Sequence, residues 1–280
     1  HEGKWAGIFQ FTEQGAQKFC TRTKPRNIID LSAITSIYRP GPLAAGVHDE
    51  YVEAKESPQY IKYLNEDAHD ITQETFGFLI FQEQIALLAH KLGGLSLDEG
   101  NMLRKVLTKK GTGKGSAKGK LHDKFITGCM ANSIHRDEAQ ALWDKFEYFS
   151  GYGFNKSHAV SYAKNAYWSA YCKAQFPHEF FCSYLRGSAW KQDTHEEVYE
   201  LVNDARLSDI EVAVPNLPSL RKSFYIHGDY IRFGLSDIKG VGGSAVEKLK
   251  ERSPEVEEKL SCKMADWTWE QYLIFLKIIL

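Results

Sequence analysis

Gly151-Tyr152-Gly153-Phe154-Asn155-Lys156-Ser157-His158 lies between two stretches of helical periodicity. Its two glycines permit a tight backbone turn, and Lys156 and His158 set cationic donors beside that turn. Ser157 is placed to cap the following helix, which would aim the first amide N–H groups of that helix at an anion. The preceding helix is predicted to start at Asp137, with Ala139, Leu142, Trp143, Phe146 and Phe149 on one stripe. The following helix, from Ser157, carries Val160, Ala163, Tyr167, Ala170, Tyr171 and Ala174 and stops before Pro177. On these eight residues alone, a phosphate site and a plain helix corner with a solvated lysine weigh about equally.

Upstream, Ser96 and Glu99 form a capping box for a helix with Met102, Leu103, Val106 and Leu107, running out at Lys109-Lys110. Gln82-Glu83-Gln84 opens another helix, with Ile85, Leu88, Ala89 and Leu92 at helical spacing and Gly93 at its end. Phe76 to Phe81 reads as a short buried strand, and Gly7 to Phe11 as a second. A helix is expected from Asp30, halted by Arg39-Pro40-Gly41-Pro42. The prolines stiffen that turn and hold Arg39 in a defined direction. Residues 51–68 are polar and charged, read as helix and surface loop.

Downstream, helices are expected from His178 to Leu185 and from Thr194 to Leu207. After Pro215 and Pro218 the character changes. Ser223–His227 and Tyr230–Phe233 flank Gly228-Asp229, the pattern of a β-hairpin. Ile238 to Leu249 then follows a helix-hairpin-helix order. Its Gly240-Val241-Gly242 turn, beside Lys239, would present backbone amides to a DNA phosphate without reading sequence. The fold class is mainly α, with a few short strands and a C-terminal β-hairpin, followed by that helix-hairpin-helix element.

The chain has 280 residues and a net charge of −1, so its average charge favours no polyanion. Distribution matters more. Between residues 104 and 120 stand Arg104, Lys105, Lys109, Lys110, Lys114, Lys118 and Lys120 with no acid among them, which favours a phosphate-rich partner. Arg104 and Lys105 diverge by about 100° on a helix, so only one faces a given site. Gly111 to Gly119 reads as a Gly/Lys-rich loop. The five cysteines (20, 129, 172, 182 and 262) are scattered without a CxxC pair, as expected for a reducing, cytoplasmic setting rather than a disulfide or zinc framework. No signal peptide or membrane-spanning run appears. A first residue other than Met and an apolar last run predict a piece of a longer protein.

No carboxylate cluster suited to two-metal phosphoryl chemistry is legible, so no metal site is assigned. Glu74, Glu83, Asp98 and Glu99 read as helix caps and surface charge. Neither a P-loop nor a strand–GxGxxG–helix unit is present, and Ser157 next to His158 is a sequence neighbour rather than a dyad.

Taken in order, several blocks resemble the C-family bacterial replicative DNA polymerases. They are Ile8-Phe9-Gln10, Arg39-Pro40-Gly41-Pro42, Glu74-Thr75-Phe76-Gly77 with Phe81-Gln82-Glu83-Gln84, Leu103-Arg104 with Lys109-Lys110, Tyr152 to His158, and Ile238 to Gly242. The series is collinear over about residues 7–250 and therefore specific. The resemblance implies a palm edge over residues 1–20, a multi-helix fingers domain over 21–215, and a β-hairpin with the helix-hairpin-helix region over 216–280. It implies that Arg39, Arg104, Lys109, Lys110, Lys156 and His158 contact the triphosphate of an incoming deoxynucleotide or order the closing fingers. Tyr152, Asn155 and Ser157 would shape the pocket around base and sugar. Lys114, Lys118, Lys120, Lys239, Gly240 and Gly242 would meet the DNA backbone. The catalytic aspartates of the family, with their Mg²⁺, are expected upstream of these blocks, so no catalytic residue is assigned here. Implied partners are primer–template DNA, deoxynucleoside triphosphates, a sliding clamp and other replisome subunits, but no membrane. One departure is Phe11-Thr12-Glu13, where the family has an apolar residue followed directly by Glu-Ser. Such divergence suits a phage or environmental relative. A non-catalytic DNA-binding module of polymerase-like shape is the alternative reading.

Overall fold

A computed structural model describes residues 3–61, 63, 65–107, 116–151, 153–189 and 194–279. It divides into two compact units, Ile8–Trp168 (with His1) and Glu2–Gly7 with Ser169–Leu280.

The first unit is helical. It holds α1 (Gln14–Thr23), α2 (Ile28–Ile37), α3 (Pro40–Ala44), α4 (Val47–Glu56), α5 (His69–Thr72), α6 (Gln82–Gly93), α7 (Leu97–Leu107), α8 (Ala117–Ala131), α9 (Arg136–Ser150) and most of α10 (Lys156–Gln175). Helix α6 packs on α7 and α8, and α8 on α9. Leu88, Leu92, Leu103, Phe125, Leu142, Trp143 and Phe146 fill the space between them. Apolar residues at helical spacing on each partner make this core, as the periodicity predicts. The Ser96–Glu99 box forms as expected, with the Ser96 N–H donating to Glu99 Oε2 at 2.8 Å.

Several boundaries differ from the sequence reading. Asn27 caps α2 by accepting the Asp30 N–H at 2.8 Å, so the helix begins at Ile28 rather than Asp30. Pro40 opens the short α3, because a proline at the first helical position lacks only an N–H that would be unpaired anyway. His135, rather than Asp137, caps α9, and Asp137 sits in the first turn, where its charge suits the helix dipole. Ser116 accepts the Gly119 N–H at 3.1 Å and starts α8 at Ala117, so the expected loop through Gly119 ends sooner.

Neither expected strand of this unit forms. Gln10 has φ +68° and the Phe11 N–H closes a turn onto the Ile8 carbonyl at 3.1 Å. Phe76 at φ +54° and Gly77 at φ +84° bend the second segment, because left-handed backbone cannot continue a strand. Only Phe81 pairs, through one parallel bridge to Phe154.

The second unit contains α11 (Pro177–Ser188), α12 (Thr194–Leu207), β1 (Glu211–Ala213), β2 (Tyr225–His227), β3 (Tyr230–Arg232), α13 (Gly243–Leu260) and α14 (Trp269–Ile279). The sheet order is β1-β3-β2, with β2 antiparallel to β3 as the hairpin pattern predicts. Strand β1 joins parallel to β3, Val212 opposite Ile231. Phe181, Leu185, Leu201, Ala205, Phe224 and Ile231 close the core between helices and sheet. A separate cluster of Val246, Leu249, Val256, Met264, Trp267 and Phe275 joins α13 to α14. Before the Gly240–Gly242 loop stands only a three-residue 3-10 turn, Leu235–Asp237, and α13 follows it.

A buried ion pair secures the chain's first residues to this unit. Lys173 Nζ donates to the carbonyls of Lys4 (3.0 Å) and Ala6 (2.7 Å) and meets Asp204 Oδ1 at 3.0 Å. Asp204 Oδ2 accepts the Ala6 N–H at 2.8 Å. Burial pulls the Lys173 amine below its ordinary value, and Asp204 opposes that shift.

Candidate functional site

The Gly153–His158 segment is held against residues 80–84 by backbone and side chain together. The Phe154 N–H donates to the Ile80 carbonyl (3.0 Å), and the Gln82 N–H to the Phe154 carbonyl (2.8 Å). Gln82 Nε2 adds a bond to the Gly153 carbonyl at 3.0 Å. Gly153 is needed for close approach: a Cβ there would lie 2.7 Å from the Phe149 ring. Beneath this frame the buried Gln84 acts as a buckle. Its Oε1 accepts the N–H groups of Ile80 (2.8 Å) and Phe81 (2.9 Å), and its Nε2 donates to Thr75 Oγ1 (2.8 Å). An amide serves well there because, once buried, it can accept and donate at once.

Asn155, not Ser157, caps α10. Its Oδ1 accepts the His158 N–H at 2.9 Å and the Ser157 hydroxyl at 2.6 Å. The Lys156 N–H donates to Glu83 Oε2 at 2.9 Å, and Asn155 Nδ2 to Glu83 Oε1 at 2.8 Å. Two of the first amides of α10 therefore already have acceptors, and a carboxylate stands at the positive end of the helix, where the dipole favours it.

Three elements bring basic side chains to this frame. Lys156 Nζ contacts Glu74 Oε1 at 2.5 Å and lies 5.6 Å above the Phe81 ring. Arg104, from α7, donates to Gln82 Oε1 (3.2 Å) and lies 3.8 Å from Glu83 Oε1, while its buried Nε has no hydrogen-bond partner among the described residues. Lys105 faces outward, as the 100° divergence requires. The Arg39 guanidinium stacks 4.4 Å above the Phe154 ring, and its Nε donates to the Ser36 carbonyl at 2.7 Å. Burial lowers its pKa below the ordinary guanidinium value, yet a guanidinium stays charged. The His158 ring packs between Phe154 (5.4 Å) and Tyr162 (4.2 Å), with Phe9 against Tyr162 at 5.2 Å. Lys156 and Arg104 thus face Glu74 and Glu83, and Arg39 brings a third permanent cation to the Phe154 ring.

Of the residues expected to grip a triphosphate, Arg39, Arg104, Asn155, Lys156, Ser157 and His158 converge here. Lys109, Lys110 and Tyr152 lie outside the described residues, as does Lys114 of the DNA set. Lys118 pairs with Glu147 at 3.0 Å and is only 12% exposed, whereas Lys120 faces solvent. Lys239, Gly240 and Gly242 are exposed in the second unit. Glu83 caps the start of α10, as a capping role predicts, but it also faces Arg104, and Glu74 pairs with Lys156 rather than standing as surface charge; sequence reasoning missed those pairings. The blocks containing them carried the signal, since each acid sits within a stretch that the resemblance had already singled out.

Among the described residues no group of three or more His, Cys, Asp or Glu is placed to hold a metal ion, and no helix is long and apolar enough to cross a membrane. The donor set at the site, cations already matched to two acids, does not fit Mg²⁺.

Residues 1–133 match the model of the bacterial DNA polymerase III alpha subunit finger domain. The DNA polymerase III subunit alpha of Aquifex aeolicus is 35% identical over 251 residues, covering 89% of this chain and 21% of the relative. That of Halalkalibacterium halodurans is 33% identical over 248 residues (89% and 22%), and that of Chlamydia muridarum 34% over 251 (90% and 20%). The chain spans about a fifth of the length of these curated relatives. Over about nine-tenths of its length the chain is similar to bacterial DNA polymerase III alpha subunits, and its first 133 residues match their finger domain.

Proposed function

We propose that this chain is the fingers region of a template-directed DNA polymerase and grips the triphosphate of the incoming deoxynucleotide. The observation that carries the reading is the convergence of Arg39, Arg104 and Lys156, from three helix starts or faces, on the Phe81–Phe154 bridge. Such pre-positioned cations stabilise charge on a reacting phosphoryl group, and orientation of the substrate contributes as much as charge. Lys109 and Lys110 complete the cationic set. Tyr152, Asn155, Ser157 and His158 shape the pocket beside it.

In the complete enzyme, a primer 3′-hydroxyl attacks the α-phosphate. Acids elsewhere in the polymerase would hold the Mg²⁺. Residues 1–20 form a palm edge, 21–215 the fingers, and 216–280 a hairpin and helix-hairpin-helix region. In that last region Lys239, Gly240 and Gly242 meet the DNA backbone, with Lys114, Lys118 and Lys120 doing so from the fingers. Lys118 must leave Glu147 to take part. Primer–template DNA is the partner, a clamp and other replisome subunits accompany it, and the setting is cytoplasmic.

Photo-crosslinking of a reactive deoxynucleoside triphosphate, with primer–template DNA present, tests the grip. Labelling within 104–110 or 152–158 that unlabelled nucleotide competes away is the expected result. Lysine labelling scattered over the chain and unaffected by competitor would leave only a DNA-binding surface. In the complete polymerase Lys156→Ala is expected chiefly to raise the apparent KM for nucleotide.

A second expectation follows from the acids. Glu74 holds Lys156 in the nucleotide-free chain, so a triphosphate competes with that carboxylate. The pair is about one-third exposed, which limits its strength to the range of surface pairs. Glu74→Gln is therefore expected to tighten nucleotide binding by roughly 1.4- to 5-fold. Weaker binding in that variant, measured by titration of a fluorescent nucleotide, would mean Glu74 positions Lys156 rather than competing for it.

A further inference from the structure

Away from the cationic site, the first unit carries a cleft of about 620 Å³ lined by Pro25, Arg26, Asn27, Ile28, Leu31, Lys164, Tyr167 and Trp168. Its volume is in the range of small-ligand sites. Trp168 is 59% exposed and Tyr167 50%, although both rings are large and apolar. Arg26 and Lys164 are exposed at the same cleft, and among the described residues neither is ion-paired. Among the described residues no carboxylate lines it.

One wall is built rather than loose. Asp30 Oδ2 accepts the Arg26 N–H at 2.9 Å and pairs with Lys55 at 2.6 Å, both side chains being less than a tenth exposed. Lys55 Nζ also donates to the Lys24 carbonyl at 3.2 Å, and Asn27 caps α2. The 24–27 loop is thereby fixed by two buried charges, and the opposite wall is the regular helix α10. A preorganised cleft loses little entropy when occupied.

We propose that this cleft takes one unpaired nucleobase of single-stranded DNA, stacked on Trp168, with the flanking phosphates on Arg26 and Lys164. Exposed aromatic rings beside unpaired cations are what sequence-independent single-strand binding needs, because every base has a π-face and every link a charge. A duplex keeps its bases stacked on one another and would use only the cations. The inference deepens the polymerase reading and rests on DNA being the chain's partner: an unpaired base is what a template strand presents ahead of the primer.

The test is fluorescence anisotropy of a labelled oligothymidylate titrated with the chain, without nucleotide. Trp168→Ala is expected to weaken binding by roughly 5- to 150-fold, and Trp168→Phe, which keeps a ring, to restore most of it. Arg26→Ser combined with Lys164→Ser is expected to reduce the salt slope by about 1.4, two single-strand phosphate contacts being lost. Wild-type affinity in Trp168→Ala, or an unchanged slope in the double variant, would overturn the proposal. Nucleotide crosslinking in the same variants separates the two readings. Intact labelling with unchanged oligonucleotide affinity in Trp168→Ala sinks the cleft alone. Absent labelling with weakened oligonucleotide affinity sinks the triphosphate grip alone and supports the cleft.

Discussion

Asp204→Ala is expected to lower the unfolding free energy of the second unit by about 3–5 kcal/mol, the usual cost of removing one partner of a buried charge pair. Both side chains of the Lys173–Asp204 pair are a tenth exposed or less. Deleting the carboxylate leaves a buried ammonium with no counter-charge, held by the Lys4 and Ala6 carbonyls and the faces of Phe180 and Phe181, and strips the Ala6 N–H of its acceptor. The effect has a pH signature. Folding already lowers the pKa of Lys173 from its ordinary 10.5, through burial. A base with a lowered folded-state pKa weakens folding fully below that folded value, and the penalty fades as pH rises toward the unfolded value. Without Asp204 the lowering deepens, so the defect should be largest near neutral pH and shrink toward pH 10. Urea unfolding of wild type and variant across that range measures it. A defect of constant size would mean that Lys173 stays charged throughout.

Gly128→Ala should cost about 1–3 kcal/mol, by overpacking. At Gly128 a Cβ would stand 1.8 Å from the Gly93 carbonyl oxygen, which is backbone and cannot rotate away. The gain in helix propensity, about 1 kcal/mol for glycine to alanine, offsets only part of the clash. Gly93 is equally constrained, because a Cβ there would lie 2.2 Å from Phe125. The two glycines let α6 and α8 cross at close range. Helix α6 begins with Gln82, Glu83 and Gln84, so a shift at this crossing reaches the cationic site. The expected result is a lower denaturant midpoint together with weaker nucleotide labelling. A midpoint equal to wild type would show that the helices separate without cost.

The helices α6, α7, α11 and α12 and the hairpin were legible because each has a clear period and a stop residue or turn signal. Strand β1 was not, since three residues with one buried side chain carry no period. Gly7–Phe11 and Phe76–Phe81 have strand-like composition, and the left-handed backbone at Gly7, Gln10, Phe76 and Gly77 excludes them. The cations of the site were legible as residue types that meet phosphate. Their partners were not. Glu74 is 82 residues from Lys156, and no local pattern reports a pairing at that distance. The buried Gln84 looked like one more polar residue at a helix start, although it holds two backbone amides of the adjoining segment.

The bridge between Phe81 and Phe154 also sets an order of assembly. Glu83 must wait for Lys156, 73 residues later in the chain, before its carboxylate meets the amide it caps. Closing so long a loop unaided is entropically costly and slow. The local helices α6 to α9 pack on one another in the native fold, and forming that core first would shorten the search by bringing the two ends near. On a ribosome, then, the Phe78–Phe81 segment would emerge well before its partner. It would remain unpaired until α10 had been synthesised, and substitutions in the α6–α9 core would delay formation of the site even where they leave its finished geometry unchanged.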